Sequence, residues 1–414
     1  MTSALTDTTV VWLHPLHIGE SEDGVCEVGR VDTGDFIELP AEGVDLVRWL
    51  GEGLPLGEVR RRFAERYGTE PDLADFLDGM ASCGFLRVDA ATGDGGATVG
   101  SGGPATGAGT PLSPGAGPSR RGVAVLANLP PHRVSWLLAP PMRLLYVGSW
   151  LTVPLLLVLV PSLRPTPADA FLLDGVLANA LVVAAVAWML VLLHELAHAA
   201  TVRALGVTGR LSISRRLWFL VAQTEMSAVR SVPRRRRYAP YLAGLTWDLL
   251  LMSACLVLQL AGLHEQLVRG VVYTLTLSVV YQFLVFMRTD IYYVLGNWLR
   301  LGDLMGDTRR WLANQTRRLV GRGPGHDLGG VPARELRIIR WYAPFYLLGS
   351  LAVTAALLAL TVPAMVTMVG LAIDGLDSPV DGLAFWNGVG FLALVALQLA
   401  TFGWVFVTER RTAA

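Results

Sequence analysis

The chain has 414 residues, of which 52% are hydrophobic and only 16% are charged. Soluble domains carry about 25% charged residues, so this composition argues against a soluble enzyme and favours a membrane protein. The formal net charge is zero but unevenly distributed: residues 1–92 carry 18 Asp and Glu against 7 Arg, a charge of −11, and residues 93–414 carry 16 against 27, a charge of +11.

Residues 1–92 alternate apolar and polar positions, as a small soluble domain does. The segment Glu27–Leu39 predicts a β-hairpin that turns at Asp32–Asp35, and a further strand is predicted at Phe85–Val88. Between them lie three short helical patterns, near 43–51, 56–67 and 71–82. This order predicts a winged-helix-like α+β domain, with a generic small α+β domain as the alternative.

The acidity of this first domain bears on the kind of partner it takes. DNA binding requires cationic groups that displace phosphate counterions, so a charge of −11 argues against a nucleic-acid partner. An exposed hairpin edge can instead accept an extended peptide as an additional strand. We therefore expect residues 1–92 to bind a peptide.

Residues 93–119 are rich in Gly, Ser and Pro and poor in large apolar side chains, which predicts a flexible linker. Residues 120–414 form the predicted membrane domain. This part contains about six stretches of roughly 20 apolar residues, the length that crosses about 30 Å of hydrocarbon. The predicted spans are 143–162, 174–201, 240–262, 267–287, 341–363 and 384–407. The fold class is thus a polytopic α-helical membrane protein with a small N-terminal α+β domain.

The arginines predict the orientation of these spans. Most lie before span one, between spans two and three, between spans four and five, and after span six, whereas the segments after spans one, three and five are nearly free of Arg. Positive charge accumulates on the cytoplasmic side of membrane proteins. We expect a multi-pass protein of the inner or plasma membrane with both termini in the cytoplasm.

Span two ends in His194-Glu195-Leu196-Ala197-His198. Positions i and i+4 share one face of a helix, so the two imidazoles can bind one zinc ion. Glu195 is then placed to take a proton from a zinc-activated water as general base. Ionisable groups near the centre of a membrane span cost on the order of 2.5–3.5 kcal/mol each, which makes a purposeless motif there rare. A helix cap or an interfacial cluster is the alternative.

A catalytic zinc site takes a third protein ligand, and Asp290 is the candidate. Spans two and four run in the same direction, so their cytoplasmic ends, where the histidines and Asp290 lie, share one membrane depth. The alternative is that Asp290 pairs with Arg288 or is solvated. His264, predicted on the outer side, and His326, in a Gly-rich loop, are weaker candidates.

Other residues near this site have open roles. Val207–Val232 has the pattern of strands or of a re-entrant hairpin, whose edge an extended substrate could pair with. Tyr292 and Tyr293 either donate hydrogen bonds to a developing oxyanion or anchor the chain at the interface. The role of Asn297 is equally open.

These residues resemble the site-2 protease family of zinc metalloproteases. The resemblance covers roughly residues 122–310 and rests on the HELAHA motif, on Leu242–Gly244 after an Arg-rich loop, and on Arg288–Leu295, which is similar to the Asp-Gly-Tyr-Tyr-x-Leu form of the peptide zinc metalloprotease branch. It implies His194, His198 and Asp290 as zinc ligands and Glu195 as the catalytic base. Ile291 stands where the family has Gly, and no PDZ-like insertion is present.

The N-terminal part resembles the PqqD-like precursor-recognition domain of peptide-modifying systems, through Val28–Pro40 and Leu46–Val59. The resemblance implies that residues 1–92 recruit a leader peptide. We therefore expect a membrane zinc endopeptidase that cleaves the precursor of a ribosomally made, modified peptide. Two alternatives remain: a protease of transmembrane regulators such as anti-sigma factors, and a non-catalytic export or immunity protein with a structural metal.

Overall fold

A computed structural model of the chain describes residues 6–87 and 123–413, apart from short gaps at residues 23, 174, 217–218, 330, 357, 360–361 and 381. The predicted linker 93–119 lies outside the described residues, as does Val88 of the strand predicted at Phe85–Val88. Among the described residues of this predicted strand, Leu86 forms an isolated antiparallel bridge with Leu13 and belongs to no longer strand.

The N-terminal domain is built on an antiparallel sheet of three strands in the order β1 (His17–Glu22), β2 (Val25–Arg30) and β3 (Asp35–Pro40). The predicted hairpin is confirmed, with Arg30 opposite Asp35. Gly34 closes its turn at φ +78°, a conformation that side chains rarely adopt. Strand β1 was not predicted, because its sequence HIGESE does not alternate apolar and polar residues.

Three helices cover one face of this sheet: α1 (Ala41–Gly51), α2 (Leu56–Tyr67) and α3 (Leu73–Ser82). They lie where the periodicity predicts them. The Asp72 side chain caps α3 by accepting from the Asp75 N–H, and Gly68 ends α2 in the left-handed region. Val28, Leu39, Leu50, Val59 and Phe85 are among the residues buried between sheet and helices, so the small domain has its own core.

Four helices of the described chain are long and apolar enough to cross a membrane: α4 (Pro140–Leu159), α5 (Val176–Ala204), α6 (Arg234–Leu260) and the greater part of α12 (Leu383–Ala413). They match predicted spans one, two, three and six. Leucines on α4 and α5, such as Leu151 and Leu192, are exposed, as on lipid-facing helices. Half of the apolar window of α6 is buried, so α6 is the central helix.

The other two predicted spans correspond to less regular segments. Span four coincides with α7 (Gln266–Gln282), which has 17 residues and ends before Asp290. Span five starts inside α10 (Ala333–Ala356), whose first turns carry Arg and Glu. A shorter helix, α11 (Val362–Gly375), follows and packs on α12. Neither α7 nor α10 meets the length and composition of the four helices above.

A second sheet lies between α5 and α6. Of the two alternatives for Val207–Val232, the strands are present as β5 (Arg210–Arg216) and β6 (Phe219–Glu225), and a short strand β4 (Val123–Ala124) pairs with β5. Strand β6 is therefore at the sheet edge. Helices α8 (Asp290–Leu299) and α9 (Leu304–Leu319) connect α7 to α10.

The N-terminal sheet contacts the segment that follows β6. Glu27 of β2 forms ion pairs with Arg230 and Arg237, and the three side chains are at most 25% exposed. The turn at Gly34 lies so close to Ser227 that an added side chain would overlap it. A cavity of about 470 Å³ beside this contact is lined from both sides, by β1 and β2 and by Arg234, Arg300, Arg334 and Glu335 among others.

Candidate metal centre

The last turns of α5 carry His194 and His198, which share one face of the helix and are buried. Their Nε2 atoms lie 3.2 Å apart. Asp290 Oδ2 lies 3.0 Å from the first and 3.1 Å from the second. Among the described residues, these three form the group whose ligand atoms converge closely enough to hold a metal ion. The predicted convergence is thus present.

Asp290 reaches this point by a route that differs from the prediction. It does not lie at the end of a fourth span but opens helix α8, after a turn in which Arg288 adopts φ +55°. Gln282, the last residue of α7, holds this turn: its side-chain oxygen accepts from Asp290 N–H at 3.0 Å, and its backbone oxygen accepts from Thr289 Oγ1 at 2.7 Å. At a helix N-terminus the Asp290 carboxylate is favoured by the helix dipole.

The second nitrogen of each imidazole is also engaged. His194 Nδ1 lies 2.9 Å from Asp248 Oδ2, and His198 Nδ1 lies 2.7 Å from the backbone oxygen of Pro240. Both acceptors belong to α6. A neutral imidazole that donates through Nδ1 presents the Nε2 lone pair, which is the atom facing the centre. Ser278 donates to the same oxygen of Asp248 at 2.8 Å and so orients that carboxylate.

Close packing of α6 on α5 depends on Gly244. A Cβ built at this position would overlap the ring of His194. The ring therefore lies directly on the α6 backbone, and Gly is the residue type that leaves room for it.

Glu195 follows His194 in the chain and is not one of the three converging side chains. It is buried, at 9% exposure. Its Oε2 accepts from the backbone N–H of Thr224 in β6 at 2.5 Å, and its backbone oxygen accepts from Thr224 Oγ1 at 3.1 Å. The second sheet thus holds the predicted base.

The donor set fits zinc. Two imidazole nitrogens and a carboxylate oxygen are the ligands of many catalytic zinc sites. Ligand atoms about 2.0–2.1 Å from a tetrahedral zinc lie roughly 3.3 Å apart, close to the separations of the three atoms here. Three protein ligands would leave one coordination position for water or substrate.

The structure also bears on the alternative pairing of Asp290 with Arg288 and on the weaker ligand candidates His264 and His326. Arg288 pairs with Asp303 at 2.8 Å, while Asp290 faces the histidines, so the Arg288–Asp290 pairing is not formed. His264 is exposed in the turn after α6. His326 is exposed in the loop between α9 and α10, where its backbone bonds to Asn314. Neither belongs to the converging group.

Tyr292, Tyr293 and Asn297 have contacts elsewhere. Tyr292 Oη accepts from Met305 N–H at 3.1 Å, the Tyr293 ring stacks on Tyr241, and Asn297 donates to the backbone oxygen of Arg234. Each of these contacts packs α8 against its neighbours. The described contacts therefore give these three residues structural roles.

Three functional candidates were missed in the sequence: Asp248, Gln282 and Thr224. Asp248 was detectable, because it is an acid inside an apolar run, the same argument that applies to His194. Gln282 is a polar residue near the end of an apolar run, a weaker signal. Thr224 acts in part through its backbone N–H, and a backbone contact cannot be predicted from the residue type.

Comparison of the chain with family models, with curated proteins and with solved structures gives no match. The functional argument therefore rests on the geometry of this site.

Proposed function

We propose that the chain is a membrane-embedded zinc endopeptidase of the site-2 protease type, which cleaves a precursor peptide recruited by residues 1–92. The observation that carries this proposal is the convergence of His194, His198 and Asp290 with Glu195 beside them. A structural metal site has no use for a buried carboxylate that lies next to the ligands without joining them. Structural zinc also usually takes four protein ligands.

Each residue of the site has a part in peptide hydrolysis. When bound, zinc polarises water and the scissile carbonyl, and it lowers the pKa of water to about 7. His194, His198 and Asp290 would hold the ion. Asp248 and the Pro240 carbonyl keep the two imidazole rings in the orientation that metal binding requires. Glu195 takes the proton of the attacking water and passes it to the leaving amine.

Strand β6 holds the proposed base from the side of the second sheet. Its outer edge meets α5 at Thr224, whose N–H bonds to Glu195. A helical peptide must unwind before one of its amide bonds can reach the metal beside this contact.

The position of the N-terminal domain supports recruitment. Its sheet contacts the 3₁₀ turn Ser227–Ser231, which begins two residues after β6 ends. A peptide bound by the domain is therefore delivered close to Thr224 and the proposed base that it holds. A protease of transmembrane regulators would not need this arrangement, so deletion of residues 1–92 should remove the preference for the recruited peptide and spare Glu195-dependent cleavage.

For the membrane, we propose six spans, with α7 and α10 crossing in addition to the four long apolar helices, and both termini in the cytoplasm. The support is the Arg distribution and the shared depth that the converging ligands require. Cysteine-accessibility labelling of Gly262 and Gly323 variants would test the topology, with labelling from outside expected at the first and not at the second.

The central experiment uses the full chain in detergent with a fluorescently labelled, unfolded protein as probe substrate. Wild-type protein should bind about one zinc and cleave the probe, and Glu195→Gln should keep the zinc and lose cleavage. Glu225→Gln, a change on the same hairpin away from the ligands, is the control. Cleavage that survives Glu195→Gln would contradict the proposed mechanism. Export or resistance that survives in a Glu195→Gln strain would favour a non-catalytic export or immunity protein.

A further inference from the structure

The contact between Glu195 and strand β6 has more specific geometry than packing requires. Two bonds join Thr224 to Glu195: the Thr224 N–H to Oε2 at 2.5 Å and the Thr224 hydroxyl to the backbone oxygen at 3.1 Å. Both residues are buried, at 7% and 9% exposure. The N–H therefore donates to the carboxylate itself, whereas the hydroxyl donates only to the α5 backbone.

The Thr224 N–H is not needed by its own sheet. Strand β6 pairs with β5 in antiparallel register, with Thr224 opposite Leu211. In such a ladder, the N–H groups of alternate residues point toward the partner strand and away from it. Because β6 is the outer strand and the Thr224 N–H donates to Glu195, this N–H points away from β5, toward α5. Ala222, two residues earlier, has its N–H in the same direction.

We propose that the backbone amide of Thr224 is a positioning group for the catalytic base. By holding Oε2, it fixes the rotation of the Glu195 carboxylate beside His194, His198 and Asp290 and leaves Oε1 as the oxygen that accepts the proton. This inference rests on the proposed function, because it assigns a role within that reaction.

Positioning of this kind has a large kinetic consequence. A charge-assisted bond from a backbone amide is stronger than a neutral one, and the amide is itself held by the sheet. A catalytic group displaced by about 1 Å can lose on the order of 100-fold in rate. If the bond only held β6 against α5, its removal would lower stability and leave the rate at which bound substrate is cleaved unchanged.

The test compares a variant that removes the N–H with controls that keep it. Thr224→Pro lacks the donor, and proline is tolerated at edge positions whose N–H does not pair with the neighbouring strand. Thr224→Val keeps the N–H and loses only the hydroxyl. Ala222→Pro places the same ring at the equivalent edge position, without the Glu195 contact. The full chain in detergent is assayed with the labelled unfolded protein for kcat, KM and bound zinc.

We expect Thr224→Pro to lower kcat by about 100-fold with zinc content and KM preserved, and Thr224→Val and Ala222→Pro to keep kcat within about three-fold of wild type. In the Glu195→Gln background, Thr224→Pro should lower the residual rate no further, since the group it positions is absent. Thr224→Pro with wild-type kcat would overturn this inference and leave the proposed function standing if Glu195→Gln is inactive.

If proline itself damages β6, so that both proline variants lose activity, an ester at position 224 decides the matter. Valine and its α-hydroxy acid analogue, introduced in turn at this position, differ only in the N–H. An ester variant as active as the valine variant would overturn the inference. A wild-type chain with neither zinc nor Glu195-dependent cleavage would instead overturn the proposed function, and this inference with it.

Discussion

Two buried clusters of charged side chains differ in how their charge is balanced. In the first, the carboxylate of Glu27 meets the guanidinium groups of Arg230 and Arg237, which belong to the other part of the chain. Burial alone would raise the pKa of Glu27, but the two arginines outweigh it and lower the pKa. The protein itself supplies both signs of charge here, so the buried carboxylate of Glu27 is compensated from within the chain.

The second cluster, at the candidate metal centre, is not balanced in this way. With neutral imidazoles, Asp248 and Asp290 bring two negative charges among His194 and His198, and the ligand atoms of three residues point at one another. Lone pairs that converge in a buried place are stabilised by a cation between them, which a bound metal ion would supply. The comparison teaches that a buried ion pair holds parts together, whereas an unbalanced set of converging acceptors indicates a ligand.

The largest expected effect comes from closing the space at the candidate metal centre. Gly244→Ala places a Cβ on the His194 ring, so we expect the ring to turn away and zinc binding to be lost. Metal analysis of the purified protein checks this. Gly296→Ala in α8, where an added Cβ meets nothing within 4 Å, is the control and should bind zinc as the wild type does. Normal zinc content in Gly244→Ala would show that His194 is not a ligand.

A smaller effect is expected from the residue that orients His194. Asp248→Ala removes the acceptor for Nδ1, and loss of such a partner typically costs 10–100-fold in metal affinity, roughly. Competition with a chelator measures the affinity. Ser278→Ala, which only weakens the hold on Asp248, should cost less, and Asp248→Asn should recover part of the loss. An affinity unchanged in Asp248→Ala would remove Asp248 from the site.

The balanced cluster should respond in a different property. Glu27→Gln leaves two arginines without their carboxylate, which costs on the order of 3 kcal/mol for a buried pair. We expect weaker docking of the N-terminal domain, seen as faster hydrogen exchange in Ser227–Ser231, and no change in zinc content. Glu20→Gln, on the same sheet but exposed, serves as the control. Equal exchange in both variants would show that the ion pairs do not hold the domain.

The smallest effect is a dependence on pH at the same contact. Burial, together with the charges of Glu38 and Asp307, raises the pKa of Glu335 from 4.5 to about 7. The charge of Glu38 comes from the docked domain, so docking contributes to this raised pKa and is favoured when Glu335 is protonated. Docking should therefore weaken as the pH rises towards about 7 and level off above it. Hydrogen exchange across this range measures it. In Glu335→Gln this pH dependence should be reduced, and an unchanged profile would assign it to another group.

The two clusters were not equally predictable from the sequence. His194 and His198 were found because helical spacing places them on one face, and Asp290 because membrane depth had to match. The turn that makes Asp290 the first residue of α8 depends on Arg288 in a left-handed conformation and on the Gln282 side chain, neither of which periodicity reveals. The contact of Glu27 with Arg230 was not foreseen either. The opposite charges of residues 1–92 and 93–414 are consistent with attraction between the two parts, but they do not indicate which residues pair.

Within the fold, the confirmed elements are those whose pattern is strong, such as α2 with its periodic apolar face or the β2–β3 hairpin with its glycine turn. Strand β1 and the broken region after α7 lack such a pattern, because their structure depends on neighbours distant in the chain.

The most direct test of the central claim is the metal content of the purified chain, compared among wild type, Glu195→Gln and Asp290→Ala. We predict about one zinc per chain in the first two and a large loss in the third, because Asp290 is the proposed ligand and Glu195 the proposed base. Zinc retained at the wild-type level and affinity in Asp290→Ala, or absent from all three proteins, would contradict the account.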